Sequence, residues 1–368
     1  MELSGLALPL ADSTRLKRRV HALAEDRPGV YRMLDPSGAV IYVGKAKRLR
    51  ARLLSYFRAR YPDQKAARIL DAAADVTWDY TPSEFAAHLT ELRLITRYRP
   101  VFNVQMNRPR RLAFVKLSRG PAPKLYAGAA PSGDDILHYG PYPAPGRLRE
   151  ALRVLNDLLG LRDCALTMPI VYAAQRDFFT ETRHAACIRH PLGTCLGPCA
   201  GPVDEERYGA AVETAIAFLE GRAIAPLDRI IGEMQQASAA SAFERATRWR
   251  DRFDALEWLF AAGNRARAAI DALSFVYLDA GSHGDDRAYV IKRATVRASA
   301  PAPRTPIERE AFRALVTEHV GPETSTGPIP PAAIEETLLL LSWFRRHPAA
   351  LRHTLPMERW LADGPVPC

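Results

Sequence analysis

Two tyrosines near the N-terminus stand beside glycines, in the triplets Gly29-Val30-Tyr31 and Tyr42-Val43-Gly44. A run of basic residues follows them: Lys45, Lys47, Arg48, Arg50, Arg52 and Arg58. Phenols transfer protons and cations neutralise phosphate oxygens, so these residue types together suit the hydrolysis of a phosphodiester. Tyrosine is also a common strand residue, so the combination of paired phenols with cations, and neither tyrosine alone, indicates this chemistry.

A hairpin and a helix must position these side chains. Residues 29–34 and 39–43 predict two strands joined by a turn at 35–38. Side chains on one face of adjacent antiparallel strands lie close together, so we expect both phenols on the same face. After Gly44 the apolar residues recur at three- and four-residue spacing, which predicts a helix that carries the basic residues on its other faces.

A third strand and a second helix complete a compact α/β unit. Residues 76–80 predict the strand, and Thr81 or Ser83 is a candidate cap for a helix that runs to about Tyr98. The arginine and proline at 99 and 100 end this helix because proline disfavours helical backbone in the residue before it.

Three polar side chains of the second helix, Glu84, His88 and Glu91, fall on one stripe. Their spacing would allow a wide metal site. The alternative is that Glu84 is a first-turn residue favoured by the helix dipole and that His88 is an ordinary exposed or packed side chain. The sequence favours this second interpretation.

These features resemble the UvrC family of nucleotide-excision-repair nucleases, whose GIY-YIG motif corresponds to the two triplets. The resemblance extends through YVGKAKRLRARLLSYF at 42–57, LRLITRYRPVFNV at 92–104 and YGPYP at 139–143. It implies that Arg52 is the catalytic arginine and Glu91 the metal-binding carboxylate. The full set of catalytic residues that we expect is Tyr31, Tyr42, Lys45, Arg52, Glu91 and Asn103.

The implied cofactor is Mg²⁺ or Mn²⁺, held by Glu91. A phenol with a pKa near 10 is a poor base, and we expect the surrounding cations to lower that pKa. Tyr31 or Tyr42 would then take a proton from water while Arg52 neutralises phosphate charge. The residues expected to bind the DNA backbone are Lys45, Lys47, Arg48, Arg50 and Arg58.

Four of the five cysteines lie between residues 164 and 199. Cys164 precedes Cys187 by 22 intervening residues, and seven and then three residues separate Cys187, Cys195 and Cys199. Four thiolates suit either tetrahedral Zn²⁺ or a [4Fe-4S] cluster, and the spacing alone leaves that choice open. The resemblance to UvrC implies a [4Fe-4S] cluster, with His184 and His190 as alternatives to Cys164.

Residues 227–259 resemble the UVR motif through which UvrC contacts UvrB. Residues 227–237 and 242–259 predict two helices that pair as a hairpin. The apolar stripe of this hairpin either packs on the protein's own body or contacts a UvrB-like loader; its residues are Phe243, Ala246, Trp249, Phe253 and Leu256.

Residues 274–278 and 288–291 predict another strand pair, and residues 299–306 resemble a linker. The acidic residues between these strands, from Asp279 to Asp286, predict a polar turn. Too little chain follows them to form the RNase H-like nuclease of full-length UvrC. The architecture therefore resembles the short, single-nuclease UvrC homologues of the Cho type.

The predicted fold class is α+β. We expect an N-terminal extension, a GIY-YIG α/β nuclease domain with a small antiparallel sheet, a linker with a Cys-rich iron-sulfur region, a helical region with the UVR-like hairpin, and a small C-terminal α/β segment. The corresponding boundaries are 1–24, 25–106, 107–204, 205–265 and 266–368.

The formal net charge of +10 indicates a polyanionic partner. The N-terminus is the reverse of a secretory signal, and no apolar run approaches the roughly 18 residues of a membrane span, so we expect a cytoplasmic protein without a membrane partner.

We expect a metal-dependent DNA endonuclease that makes one incision, 3' to a lesion in double-stranded DNA, after a UvrB-like partner has located the damage. The alternatives are a DNA-binding or regulatory paralogue with little catalysis, and a structure-specific GIY-YIG nuclease outside excision repair. Glu91 favours the enzyme, because DNA binding alone needs cations and no carboxylate.

Overall fold

The strands predicted around the two tyrosines are present in the computed structural model, which describes residues 10–104, 112–128, 135–175, 187–320 and 327–363. Up to residue 104 the elements are α1 (Leu10–Leu23), β1 (Gly29–Leu34), β2 (Val40–Ala46), α2 (Leu49–Tyr56), α3 (Lys65–Ala72), β3 (Asp75–Tyr80), α4 (Glu84–Tyr98) and α5 (Val101–Val104). The strands pair antiparallel in the order β2-β1-β3, so the strand that carries Tyr31 is central.

The predicted ends of α4 are confirmed. The Ser83 hydroxyl accepts a hydrogen bond from the Ala86 amide at 3.0 Å, which satisfies one of the free N–H groups of the first turn. At the other end Arg99 takes a left-handed conformation with φ of 45°, and Pro100 follows. These two ends fix the length of the helix that carries Glu91.

Residues 112–271 contain a second antiparallel sheet and four long helices within their described parts. The elements are β4 (Leu112–Ser118), β5 (Leu125–Gly128), β6 (Asp135–Pro143), α6 (Pro145–Leu159), α7 (Glu205–Leu219), α8 (Ala225–Ala239) and α9 (Phe243–Asp271). The strand order is β5-β4-β6. Buried side chains from this sheet and all four helices, such as Val115, Leu152, Phe218 and Leu259, form one apolar core.

The C-terminal residues form a third antiparallel sheet with helices on both faces. The elements are β7 (Phe275–Asp279), β8 (Arg287–Lys292), β9 (Thr295–Pro301), α10 (Pro306–His319), α11 (Ile334–Arg346), β10 (Thr354–Leu355) and α12 (Met357–Asp363). Side chains alternate along β7: Val276 packs with Phe312 of α10 and Trp360 of α12, whereas Tyr277 contacts Phe344 of α11. Helices α10 and α12 therefore cover one face of this sheet and α11 the other.

The chain divides into two compact units that do not follow the order of the sequence. One comprises Met1–Arg108, Ala272–Pro322 and Glu335–Cys368, and the other comprises Pro109–Asp271 and Glu323–Ile334. The C-terminal sheet thus belongs to the same unit as the tyrosine-bearing sheet. In the described part of the chain, no helix has the length and apolarity needed to cross a membrane.

Three local predictions are wrong. The helix expected from Gly44 begins only at Leu49, because β2 continues through Gly44 to Ala46 and pairs with β1. The residues interpreted as a linker, 299–306, instead finish β9 and begin α10, since β9 pairs with β8. Asp279 is the last residue of β7 and is buried, so it is no part of the exposed turn.

Candidate active site

Three phenol rings meet above the first sheet. Tyr31 of β1 and Tyr42 of β2 have ring centroids 6.1 Å apart, which confirms their predicted common face. A third ring, Tyr56 of α2, lies 5.9 Å from Tyr31 and 6.4 Å from Tyr42. The hydroxyls of Tyr31 and Tyr56 are 2.8 Å apart and share a hydrogen bond. Tyr56 is not among the site residues predicted from the sequence, although its position four residues after Arg52 places both on one helix face.

Burial sets the acid-base character of Tyr31. Its ring is completely buried, and burial and then the neighbouring Tyr42 raise the pKa of Tyr31 to about 12. Burial also raises the pKa of Tyr56. We expected nearby cations to lower the pKa of the phenols, and for Tyr31 this is wrong because desolvation of the anion outweighs the attraction of Arg52. Tyr31 therefore remains a neutral phenol at physiological pH.

Close contacts explain both motif glycines. Tyr31 pairs across the sheet with Gly44, and a Cβ on Gly44 would lie 2.5 Å from the Tyr31 hydroxyl. A Cβ on Gly29 would lie 2.6 Å from the carbonyl oxygen of Asp79 on β3. The first contact places the Tyr31 ring directly on the backbone of β2, and the second keeps β1 tight against β3.

Asn103 of α5 fixes β2 between Tyr42 and Gly44. Its Oδ1 accepts a hydrogen bond from the Val43 amide, and its Nδ2 donates one to the Val43 carbonyl, each at 2.8 Å. Both backbone groups of Val43 are thus held by one side chain. Asn103 therefore positions the motif strand.

Two polar contacts involve the charged residues expected in the site: one joins β2 to α4, and the other joins α2 to Tyr31. The Lys45 ammonium donates to Glu91 Oε2 at 2.5 Å, and the Glu91 side chain is 19% exposed. Arg52 Nε donates to the Tyr31 hydroxyl at 3.3 Å, and its guanidinium lies 5.3 Å above the Tyr56 ring. Of the six residues that the sequence singled out, Tyr31, Tyr42 and Arg52 lie together at the phenols, Lys45 pairs with Glu91 between β2 and α4, and Asn103 holds Val43 of β2.

Lys65 of α3 is a neighbour of the site that sequence reasoning missed. Its ammonium lies 5.0 Å from the centre of the Tyr42 ring. Burial lowers the pKa of Lys65, and so do the neighbouring Arg52 and Arg68. No motif position marks Lys65, and no helix was predicted for the residues of α3.

The helix that carries Glu91 is packed against the C-terminal sheet. Phe85 of α4 is completely buried, with its ring 5.0 to 5.3 Å from those of Tyr277, Tyr289 and Trp343. The Ser83 hydroxyl donates to the buried carboxylate of Asp279, which also accepts a hydrogen bond from Tyr277 at 3.1 Å. Burial raises the pKa of Asp279 to about 6. Residues from both ends of the chain therefore fix α4.

His88 belongs to this packing. Its ring lies 5.3 Å from the ring of Trp343, and burial, together with the nearby Lys45, Arg346 and His347, lowers the pKa of His88 to about 3. Glu84 faces Lys47 at 4.0 Å. Among the described residues, no three His, Cys, Asp or Glu side chains are close enough to hold one metal ion.

Comparison with known proteins covers most of the chain. Residues 27–104 match the family described as UvrC-like GIY-YIG domain, residues 112–218 match the UvrC/Cho excinuclease middle domain, and residues 227–257 match the UvrB/uvrC motif. The chain belongs to the UvrC family. Its residues 27–104 form a GIY-YIG endonuclease domain, and residues 258–368 lie beyond the three matches.

The curated UvrC relatives are longer than this chain. The UvrABC system protein C of Moorella thermoacetica is 35% identical over 254 residues, which are 68% of this chain and 40% of that protein. The protein of the same name from Pseudomonas fluorescens is 36% identical over 230 residues, which are 62% of this chain and 36% of that protein. The chain therefore spans less than half the length of these relatives.

A solved structure of a UvrC domain is similar to the N-terminal part of the chain. It is the GIY-YIG N-terminal endonuclease domain of UvrC from Thermotoga maritima bound to its catalytic divalent cation, magnesium. It is 37% identical, the match covers 24% of this chain and 96% of that one, and the TM-score is 0.22.

The predicted DNA-binding residues of this UvrC-family chain lie on several elements. Lys45 is in β2, Lys47 and Arg48 link β2 to α2, Arg50 is in α2, and Arg58 follows α2. Arg48 donates to Asp26 at 2.9 Å. Apart from Lys45, all of them are exposed to solvent. The continuous basic helix that we expected is therefore not formed. The cations lie instead at the end of a strand, in a loop, in α2 and just after α2.

The four clustered cysteines of this UvrC-family chain surround one cavity. Cys164, Cys187, Cys195 and Cys199 line a space of about 50 Å³ together with Arg162 and Met168. Arg162 donates to the Cys164 sulfur at 3.4 Å, and the Gly197 amide donates to the Cys195 sulfur at the same distance. Burial raises the pKa of the Cys195 and Cys199 thiols.

His190 and His184 are the two histidines predicted as alternative ligands to Cys164. The Nδ1 of His190 is 3.1 Å from the carbonyl oxygen of Cys195, and the ring packs against Gly197. His190 thus supports the cysteine loop and does not line the cavity. His184 lies outside the described residues.

The UVR hairpin of this UvrC-family chain is formed by α8 and α9, close to its predicted bounds, although α9 continues to Asp271. One part of its apolar stripe packs against the protein's own core, and another part is exposed to solvent. Leu256 is buried, and Trp249 and Phe253 pack partly against the apolar core of the sheet formed by β4 to β6. Phe243 is instead 71% exposed.

Proposed function

We propose that this chain is a metal-dependent DNA endonuclease of the nucleotide-excision-repair type, which makes one incision, 3' to a lesion, after a partner has located the damage. The observation that carries this proposal is the meeting of three phenols and Arg52 around the close contact between Tyr31 and Gly44, together with the Lys45–Glu91 pair that joins β2 to α4. These groups supply a proton acceptor, a phosphate-binding cation and a metal-binding carboxylate.

Tyr42 is the better candidate to take the proton from water. Tyr31 is completely buried and its hydroxyl is shared with Tyr56 and Arg52, whereas Tyr42 is only partly buried. Only the phenolate form of Tyr42 can accept that proton, and the ammonium of Lys65 above the ring would stabilise this anion. Tyr31 and Tyr56 then orient Arg52, whose guanidinium neutralises the charge that develops on the phosphate.

Glu91 would hold the divalent ion. Its carboxylate is partly exposed and its present partner is a lysine, so a hard cation can take the place of the ammonium. The ion, when bound, lowers the pKa of water and neutralises phosphate charge. Lys45, no longer paired with Glu91, would then be available to neutralise phosphate charge. The magnesium described for the Thermotoga maritima domain supports this assignment.

A [4Fe-4S] cluster fits the four cysteines. All four thiols line one cavity, and this shared lining supports the proposal. Two of the sulfurs accept hydrogen bonds from protein N–H groups, which stabilise thiolate charge. A bound cluster would tie the loop at 187–199 to the segment at 164. Its role is structural in this proposal.

The loader that we propose is UvrB-like and contacts the UVR hairpin. The match of residues 227–257 to the UvrB/uvrC motif supports it. Phe243 at the start of α9 and the 37% exposed Ile231 of α8 provide the apolar contact. Cations on the nuclease domain bind any duplex, so the loader must supply selectivity for damaged DNA.

An incision assay tests this function. A duplex with one lesion and a labelled end is incubated with the full chain and Mg²⁺ or Mn²⁺, with and without UvrB. We expect one metal-dependent cut that UvrB stimulates and that Glu91→Gln abolishes while DNA affinity stays near that of the original chain. Equal cutting by Glu91→Gln would refute the assignment, and DNA binding without any cut would favour the regulatory paralogue.

A further inference from the structure

The end of α11 lies beside the active-site helix. The imidazole of His88 is 5.3 Å from the Trp343 ring, and the ring of His347, just after α11, stacks on Trp343 at 4.0 Å with an interplanar angle of 28°. Glu91 follows His88 by three residues on α4, so the two side chains are neighbours on the same helix surface. The C-terminal end of α11 therefore lies close to the carboxylate that binds Lys45.

Two exposed arginines, Arg345 and Arg346, form the last turn of α11. Arg346 Nε donates to the Ser342 carbonyl at 3.1 Å. No carboxylate among the described residues forms an ion pair with either guanidinium, in contrast to Arg48, which is paired with Asp26. Helix C-termini favour cations, which explains one role of these arginines but does not require two free guanidinium groups.

The positive charge at the C-terminal end of α11 acts electrostatically on a residue of α4. Lys45, Arg346 and His347 each lower the pKa of the half-buried His88, after the larger effect of its partial burial. Positive charge from the C-terminal segment therefore adds to that of Lys45. The aromatic packing around Phe85 fixes α11 relative to α4, so this addition is a property of the folded unit.

We infer that Arg345 and Arg346 form a second contact for the DNA backbone, beside the catalytic residues and outside the GIY-YIG domain. The inference rests on the proposed nuclease function. Two exposed guanidinium groups without a carboxylate partner in the described part of the chain, next to a phosphate-cleaving site, are suited to neighbouring phosphates of the same duplex. The C-terminal segment then binds substrate as well as supporting α4.

The test compares the salt dependence of DNA binding. The full chain and Arg345→Ala/Arg346→Ala bind a fluorescent duplex in EDTA, which prevents cutting, over a range of salt concentrations. Each lost phosphate contact reduces the slope of log K against log salt by about 0.9, so we expect a slope lower by roughly 2 and binding at least about tenfold weaker at 0.1 M salt. Arg345→Lys/Arg346→Lys should restore the slope.

The matched control is Arg313→Ala/Arg359→Ala. These two arginines lie on α10 and α12, which cover the opposite face of the same sheet. We expect the control to keep the original slope. If both alanine pairs change the slope equally, or if Arg345→Ala/Arg346→Ala keeps it, the inference is wrong. Failure of the original chain to cut in any metal would refute the nuclease function, and the slopes would still decide the DNA contact.

Discussion

Asn103 binds both backbone groups of Val43, accepting from its amide and donating to its carbonyl at 2.8 Å. Val43 separates the second motif tyrosine from the motif glycine, so one amide side chain fixes the strand on which Tyr42 and Gly44 stand. Only a side chain with a donor and an acceptor on one planar group satisfies both contacts. Asn103 thus positions Tyr42 and Gly44 indirectly, by holding the backbone of Val43 between them.

Replacing Asn103 with Asp should reduce incision. An ionised carboxylate has no donor, so it faces the Val43 carbonyl without a hydrogen bond and costs about 1–3 kcal/mol of the free energy of unfolding. We expect kcat to fall at least about tenfold, because Tyr42 loses its position. Single-turnover cutting and thermal melting measure the two effects. An Asn103→Asp variant with the original kcat would show that the double contact is not needed.

Replacing Gly44 with Ala should displace Tyr31. The added Cβ would lie 2.5 Å from the Tyr31 hydroxyl, so the ring must leave its hydrogen bonds to Tyr56 and Arg52. We expect a loss of cutting of about a hundredfold or more, with DNA affinity nearly unchanged. Gly146→Ala in α6 is the control, since a Cβ there meets nothing within 4 Å. Similar rates for both variants would contradict the prediction.

Asp279 should make stability depend on pH. Burial raises its pKa in the folded state to about 6, above the unfolded value, so the native state binds more protons between these two values. The free energy of unfolding therefore falls as the pH rises from about 4 to 6, by about 3 kcal/mol from this group. Asp279→Asn should remove that part of the dependence. Urea unfolding of both proteins at pH 4.5 and 7 measures how the free energy of unfolding changes with pH. An equal change in the original chain and in Asp279→Asn would refute the prediction.

Cys164→Ser should reduce iron content. Purified without oxygen, the original chain should contain iron and absorb broadly near about 400 nm, as thiolate-to-iron charge transfer does. The variant should lose most of this absorbance because one ligand of the cavity is replaced. Cys368→Ser, which changes a cysteine outside the 164–199 cluster, should keep it. If the original chain contains stoichiometric zinc and no iron, the cysteines bind a single Zn²⁺ ion and the cluster proposal is wrong.

Phe243→Ala should remove stimulation by the loader. Phe243 is exposed, so its truncation leaves the hairpin folded, and cutting of undamaged duplex at low salt should not change. Ile307→Ala is the matched control, because Ile307 is a similarly exposed apolar residue on α10. Loss of an exposed aromatic contact typically costs about 2 kcal/mol or more of binding. If UvrB stimulates a well-folded Phe243 variant normally, the partner docks elsewhere.

The sequence predicted the elements whose signals are local. The Ser83 cap and the left-handed Arg99 before Pro100 delimit α4 because each acts within a turn of the helix. The paired phenols followed from the alternation of strand side chains. Helix α2 was predicted to begin too early because Gly44 and Lys45 pair with β1 through β2, and helical periodicity does not report strand pairing.

The sequence did not predict what depends on distant residues. The raised pKa of Tyr31 results from burial beneath Tyr56 and Tyr42, and a count of neighbouring cations contains no information on desolvation. The contacts of Phe85 with Tyr277 and Trp343 join residues 192 and 258 positions apart, and nothing in the α4 sequence distinguishes a phenylalanine that faces its own domain from one that faces another segment.

The burial of Phe85 determines when α4 can complete its packing during synthesis of the chain. N-terminal parts of a chain usually fold while the rest is still being made. Here the rings that enclose Phe85 come from residues 277–344, so α4 reaches its final packing only after the ribosome has translated the C-terminal sheet and α11. The nuclease residues are therefore translated before the aromatic residues that complete the packing of α4.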